Sequence, residues 1–136
     1  MSRSTGNTEI IQQAFGALEP RTIKLLHSVA VRRRYAAGTV LCREGEPADA
    51  FYVITAGRVC VTQELENGAA PFTKAVLGPG QHFGELALIS EKGRSATVTA
   101  LVETEVLEIT KQDFERALAA SPALARTLLN TMIRII

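Results

Sequence analysis

Cysteine and histidine are both scarce in this 136-residue sequence, two of each, and its net charge is only +1. Cys42 and Cys60 are too few for a disulfide framework and lack C-x-x-C spacing, so they read as buried free thiols in a reducing compartment. His27 and His82 cannot build a metal centre that draws several imidazoles from neighbouring strands, and His82 with Glu85 alone makes a poor metal pair. No nucleophile stands beside a base in any recognisable order, and G-x-S-x-G is absent, so no enzyme is expected. The near-zero charge removes the long-range field that pulls a chain to nucleic acid or to an anionic membrane. No helix-turn-helix segment is present, so direct binding to DNA is not expected. The chain also lacks any run approaching the ~18 apolar residues of a membrane span, and its first residues lack the apolar core of a signal peptide. Membrane insertion is therefore excluded as an expectation, and the cytoplasm is the expected location.

What is present is a chain of one-domain size with 46% hydrophobic and 21% charged residues, enough for a single core. Residues 7–28 have a helical pattern, with Pro20 suited to a first turn and Ile23, Leu26 and His27 on related faces. From residue 29 the period shortens. "VAVRRRY", "TVLC", "AFYVIT", "RVCVTQEL", "FTKAVL", "SATVTALV" and "TEVLEIT" are β-rich segments separated by glycine-bearing turns, with a short "QHF" strand before residue 84. Seven or eight short strands without helical crossovers predict an antiparallel β-roll or jelly roll. Arg32, Arg33 and Arg34 fall in one of these strands and read as a partly solvated face.

Helix returns at the end. Thr110 caps 111–120, helped by Asp113, and Ser121-Pro122 starts a second helix. Two apolar stripes, Ala125, Leu129, Met132 and Ile136 beside Leu124, Leu128 and Ile135, exceed what one packing surface needs. That helix is expected to continue past Ile136 and to offer a surface to a second copy of the chain or to an output domain. The expected organisation is an N-terminal helical segment at 1–28, the β-roll at 29–110 and the C-terminal helices at 111–136.

The stretch "HFGELALISEKGRSATV", residues 82–98, carries the chemistry. Gly84 has no side chain and precedes a short helical turn over 85–89, whose first N–H groups form an anion site. Arg94 offers a planar, permanently charged fork to two oxygens of a phosphate, and its neighbours Gly93, Ser95 and Ala96 add little bulk. Glu85 would repel a phosphate but suits a sugar hydroxyl on the same ligand, and phosphate plus sugar means a nucleotide. On spacing alone, a Glu85–Arg94 salt bridge closing the loop is the favoured reading.

The whole stretch tips the balance. "FGELALISEKGRSATV" resembles the phosphate-binding cassette of the cyclic nucleotide-binding domain family, found in regulatory subunits of cyclic AMP-dependent protein kinase, catabolite activator proteins and cyclic nucleotide-gated channels. "YAAGTVLCREGEPADAFYVITAGRVCV" and "LGPGQHFGE" resemble the family's first hairpins and its approach to the cassette, and the likeness covers roughly residues 10–136. The resemblance implies a ligand site at Phe83, Gly84, Glu85, Leu86, Ala87, Arg94, Ser95 and Ala96. Glu85 would take the ribose 2′-hydroxyl, Arg94 the cyclic phosphate, and the Leu86 and Ala87 N–H groups, with Ser95 and Ala96, the rest of the phosphate cradle. Val76 and Leu77 would face the base. The implied ligand is cyclic AMP, with cyclic GMP also admitted, and no metal or cofactor. In the family, binding is relayed to the helices after the barrel, here by Leu88 or Ile89 against Phe114 or Leu118. The other outcome the family allows is a degenerate fold serving as a protein interaction module.

Overall fold

The computed structural model describes residues 20–65, 70–84 and 93–127. Helix α1 (Pro20–Val29) is followed by β1 (Val31–Tyr35), β2 (Val40–Cys42), β3 (Ala50–Ala56), β4 (Val59–Gln63), β5 (Phe72–Leu77), β6 (His82–Phe83), β7 (Thr97–Ala100) and β8 (Thr104–Thr110), then by α2 (Lys111–Ala120). Residues 122–127 are again helical. The strands form two four-stranded sheets, ordered β1-β8-β3-β6 and β2-β7-β4-β5, and every pairing is antiparallel. This is the β-roll with flanking helices that the strand spacing predicts.

Strand β3 divides the interior, because side chains alternate across a sheet. Phe51 and Val53 face the helices and join Ile23, Leu26, Leu107, Ile109, Phe114, Ala117 and Leu124 in an apolar cluster. Phe51 and Phe114 meet with ring centroids 4.4 Å apart. Ala50, Tyr52 and Ile54 point the other way, between the sheets, where they pack with Cys42, Val59, Phe83, Val98 and Val106.

Local signals explain where the helices begin. α1 opens on Pro20, whose missing N–H would have no partner in a first turn. It runs to Val29, so β1 starts at Val31, two residues later than the strand pattern suggests. The residues before 20 and after 127, including most of both predicted terminal helices, lie outside the described residues. Thr110 caps α2 by accepting the Asp113 N–H, and the buried Ser121 does the same for Leu124 N–H at 3.2 Å. No helix among the described residues is long and apolar enough to cross a membrane.

The arginine triplet of β1 lies beside β8 and is matched there. Arg32 pairs with Glu105, Arg33 Nε donates to Glu108 at 2.5 Å, and Arg34 reaches Glu105 at 3.1 Å and Glu103 at 3.6 Å. The cluster is thus an ion-pair ladder across two strands. Of the two thiols, Cys42 is buried and Cys60 half-buried, its Sγ 3.7 Å from Thr73 Oγ1.

Candidate functional site

A cleft of about 310 Å³ opens beside the second sheet, at the lower end of the size range for ligand pockets. Strands β4 and β5 supply Val61, Lys74, Ala75 and Leu77, β6 supplies His82 and Phe83, and Gly84, Arg94, Ser95 and Ala96 complete it. Five residues singled out from sequence, Phe83, Gly84, Arg94, Ser95 and Ala96, therefore share one cavity. Glu85, Leu86 and Ala87, with Leu88 and Ile89, lie outside the described residues. Of the two residues assigned to the base, Leu77 lines the cleft, whereas Val76 does not and is 52% exposed. Alternation along β5 turns Val76 outward.

Arg94 is held from both its backbone and its side chain. Its N–H donates to Glu46 O and its own carbonyl accepts from Gly45 N–H, both at 2.8 Å, so the residue is clamped to the turn between β2 and β3. Nearby, Glu44 N–H donates to Thr97 Oγ1 at 3.0 Å and Gln63 Nε2 donates to Ser95 O at 3.1 Å. The segment leading into β7 is thereby fixed against β2 and β4.

Arg94 is only 6% exposed. Nη2 donates to Ala50 O at 2.6 Å, Nη1 donates to Gly84 O at 3.2 Å, and the ring of Tyr52 lies 5.8 Å away. Two of its five N–H donors are used this way, which leaves donors for a ligand. Among the described residues the one carboxylate in ion-pair range of the guanidinium is that of Asp49, at 3.7 Å, and its side chain is 90% exposed. Among the described residues, therefore, only neutral carbonyls and a solvated carboxylate compensate this buried cation, an arrangement suited to an added anion.

Gly84 is needed where it stands. Its φ is +94°, a conformation that side chains rarely adopt, and a Cβ would sit 2.6 Å from Arg94 Nη1. Behind the guanidinium lies a smaller polar pocket of about 210 Å³, which includes Cys42, Asp49 and Tyr52. Burial pushes the Cys42 thiol up to about 11, against the opposing pull of Arg94, so the thiol stays protonated and inert at neutral pH. Burial likewise raises Tyr52, with Cys42 and Glu108 adding to the effect.

Sequence reasoning missed Val61, Lys74, Ala75 and His82 in the cleft, and Asp49 and Tyr52 around Arg94. His82 had a signal, its place in the "QHF" strand next to Gly84. The others depend on pairings between distant segments.

The sequence and the fold are similar to those of known proteins. The cyclic nucleotide-binding domain pattern matches residues 32–121. The chain is 42% identical over 81 residues to a cAMP-dependent protein kinase regulatory subunit of Dictyostelium discoideum, a match covering 58% of this chain and 25% of the relative. It is 41% identical over 97 residues to a cyclic nucleotide-gated potassium channel of Rhizobium etli, covering 71% of this chain and 25% of the channel. The structure of the Thermus thermophilus catabolite activator protein superposes with a TM-score of 0.81 at 31% identity, covering 90% of this chain and 57% of that one. The matched region is thus about a quarter of the length of the two curated relatives. With its fold and the pattern over residues 32–121 in agreement, the chain belongs to the cyclic nucleotide-binding domain family.

Proposed function

We propose that this domain is a non-catalytic sensor of cyclic nucleotides in the cytoplasm, with cyclic AMP as its ligand and cyclic GMP disfavoured by no more than about tenfold. The observation that carries the reading is Arg94, a guanidinium buried at the cleft with donors to spare and without a buried carboxylate among the described residues. The cyclic phosphate binds there, beside the exposed Ser95, and Glu85 takes the ribose 2′-hydroxyl. Leu86 and Ala87 complete the phosphate cradle with their N–H groups. Ser95 can serve the phosphate or accept from a guanine amino group, so it admits both bases. The name of the Dictyostelium relative supports cyclic AMP as the first choice.

Binding is relayed to the C-terminal helices. Asp49 lies 3.7 Å from Arg94 through its carboxylate, and its carbonyl accepts the Lys111 N–H at 2.8 Å, at the start of α2. Ala50 O accepts from Arg94, while the next residue, Phe51, packs on Phe114. A ligand that repositions the guanidinium therefore acts on the segment that anchors α2, and it shifts the helices only by its differential affinity for their two arrangements. The helices pass the change to a second copy of the chain or to an output domain, without direct contact to nucleic acid and without membrane insertion.

The test is a calorimetric titration with cyclic AMP and cyclic GMP in parallel. Saturable heat with both, and tighter binding of cyclic AMP, is expected. Flat heats with both would leave the fold as an interaction module, and a preference for cyclic GMP would overturn the ligand assignment.

A further inference from the structure

Thr62 on β4 is the Cα partner of Thr97 on β7. One residue further, at the end of β4, the same register sets Gln63 opposite Ala96, just before β7 begins. The half-buried Gln63 does not line the cleft, yet its Nε2 donates at 3.1 Å to the carbonyl of Ser95, and Ser95 and Ala96 both line it. Only the nitrogen of an amide side chain can donate, so the carbonyl dictates which way the Gln63 amide is turned.

The bond falls where the segment needs one. Arg94 is tied to the turn between β2 and β3 through its own N–H and carbonyl, and Thr97 through its hydroxyl, which accepts the Glu44 N–H. Between these two anchors stands the Ser95–Ala96 peptide, and a side chain from β4 holds it. A peptide unit is planar, so fixing its oxygen fixes the whole plane, and with it the backbone rotation that places Ser95 relative to Arg94. The Ser95 oxygen also carries partial negative charge beside a site suited to an anion, and the amide N–H of Gln63 offsets that charge.

Resting on the cyclic nucleotide reading of the cleft, we propose that Gln63 is a positioning residue for the cyclic phosphate. Without touching the ligand, it holds the Ser95–Ala96 peptide in the orientation from which Ser95 meets one exocyclic oxygen while Arg94 meets the other. That part of the cradle is formed before the ligand arrives, so less freedom is lost on binding. β4 therefore serves the site twice, through Val61 in the wall of the cleft and through Gln63 behind the phosphate.

The experiment titrates the parent, Gln63→Met and Gln63→Glu at pH 7 with cyclic AMP and with its two phosphorothioate diastereomers, in each of which sulfur replaces a different exocyclic oxygen. Met keeps the length of the side chain without a donor, and Glu keeps its shape with acceptors only. Both variants are expected to stay folded and to bind cyclic AMP about three- to tenfold more weakly, Glu more so than Met. Both are also expected to shrink the affinity ratio between the two diastereomers by about threefold or more, because a loosened cradle tells the two oxygens apart less well. Weaker binding with an unchanged ratio would make Gln63 a merely structural residue and overturn the inference alone. Parent-like affinity in Gln63→Glu would do the same, since no donor would then be needed. A parent that binds none of the three ligands overturns the reading of the cleft and this inference with it.

Discussion

The two faces of β3 are built for different work. On the helix side, Phe51, Val53, Leu107, Ile109, Phe114 and Leu124 pack without a charged group in the cluster, and all are at most 1% exposed. On the other side, Tyr52 and Phe83 stack with centroids 5.0 Å apart, and the guanidinium of Arg94 is buried beside them. Among the described residues that cation meets only backbone carbonyls and one solvated carboxylate, so an added anion would stabilise it, whereas apolar packing asks for nothing further. Stability is thus concentrated on one face of the strand and recognition on the other, with the backbone at Asp49 to Phe51 joining them.

The largest effect that would sharpen this division belongs to the helix side. Phe114→Ala removes a fully buried ring and is expected to cost about 4 kcal/mol in urea unfolding. Its ligand affinity, measured while folded, should change by less than about tenfold, because Phe114 does not line the cleft. A hundredfold loss of affinity would break the division.

Arg94→Leu should behave in the opposite way. A lost charge-assisted contact to phosphate predicts about a hundredfold weaker binding in calorimetry. Its stability cost is smaller, about 1–2 kcal/mol, as Ala50 O and Gly84 O lose a donor. Unchanged affinity in a folded variant would remove Arg94 from the site.

Gly84→Ala tests the same contact from the partner's side. The new Cβ displaces Nη1 and the residue must hold a positive φ, so affinity should fall by about tenfold, with about 1–2 kcal/mol lost in stability. Wild-type affinity would show that the guanidinium can bind from another position.

The smallest effect lies at the ion-pair ladder, remote from both functions. Burial works to raise the Glu105 carboxyl, but hydrogen bonds from Thr55 and Arg34 and the charge of Arg32 outweigh it, and the group is held below the ordinary carboxylate range. Its contribution is therefore fully present above the unfolded value of about 4.3 and is lost as pH falls through the lowered folded value. Glu105→Gln should cost about 1 kcal/mol at pH 7. The gap to the parent should close as pH falls below about 4, and a gap independent of pH would assign the loss to packing.

Much of this was legible in the chain itself, for reasons that differ by residue. The strands alternate in hydrophobicity and glycines punctuate them, so the two sheets could be read from local pattern. Arg94 stood out by residue type and by its small neighbours. Asp49 and Lys74 did not, because each owes its place to register: Asp49 lies beside Arg94 through a turn, and Lys74 lines the cleft at a bulge set by how β5 pairs with β4. Val76 misled for a simpler reason: its pairing and that of Leu77 with β4 are regular, so these adjacent side chains face opposite ways and only one of them can turn inward. Local periodicity excludes the pair but carries no information about the register that places Asp49 and Lys74.

The pairing of β1 with β8 has one more consequence. Val31, just after α1, is the Cα partner of Glu108, three residues before α2 begins. Directly paired Cα atoms in antiparallel strands are about 5 Å apart, so the chain comes into the roll and goes out of it at nearly one point. A unit with its two ends side by side can be spliced into a longer polypeptide without stretching the host, and little loop-closure entropy is lost at the joins. It behaves like a plug with both wires at the same end, and whatever is attached to those ends receives any movement of α2 relative to α1 directly.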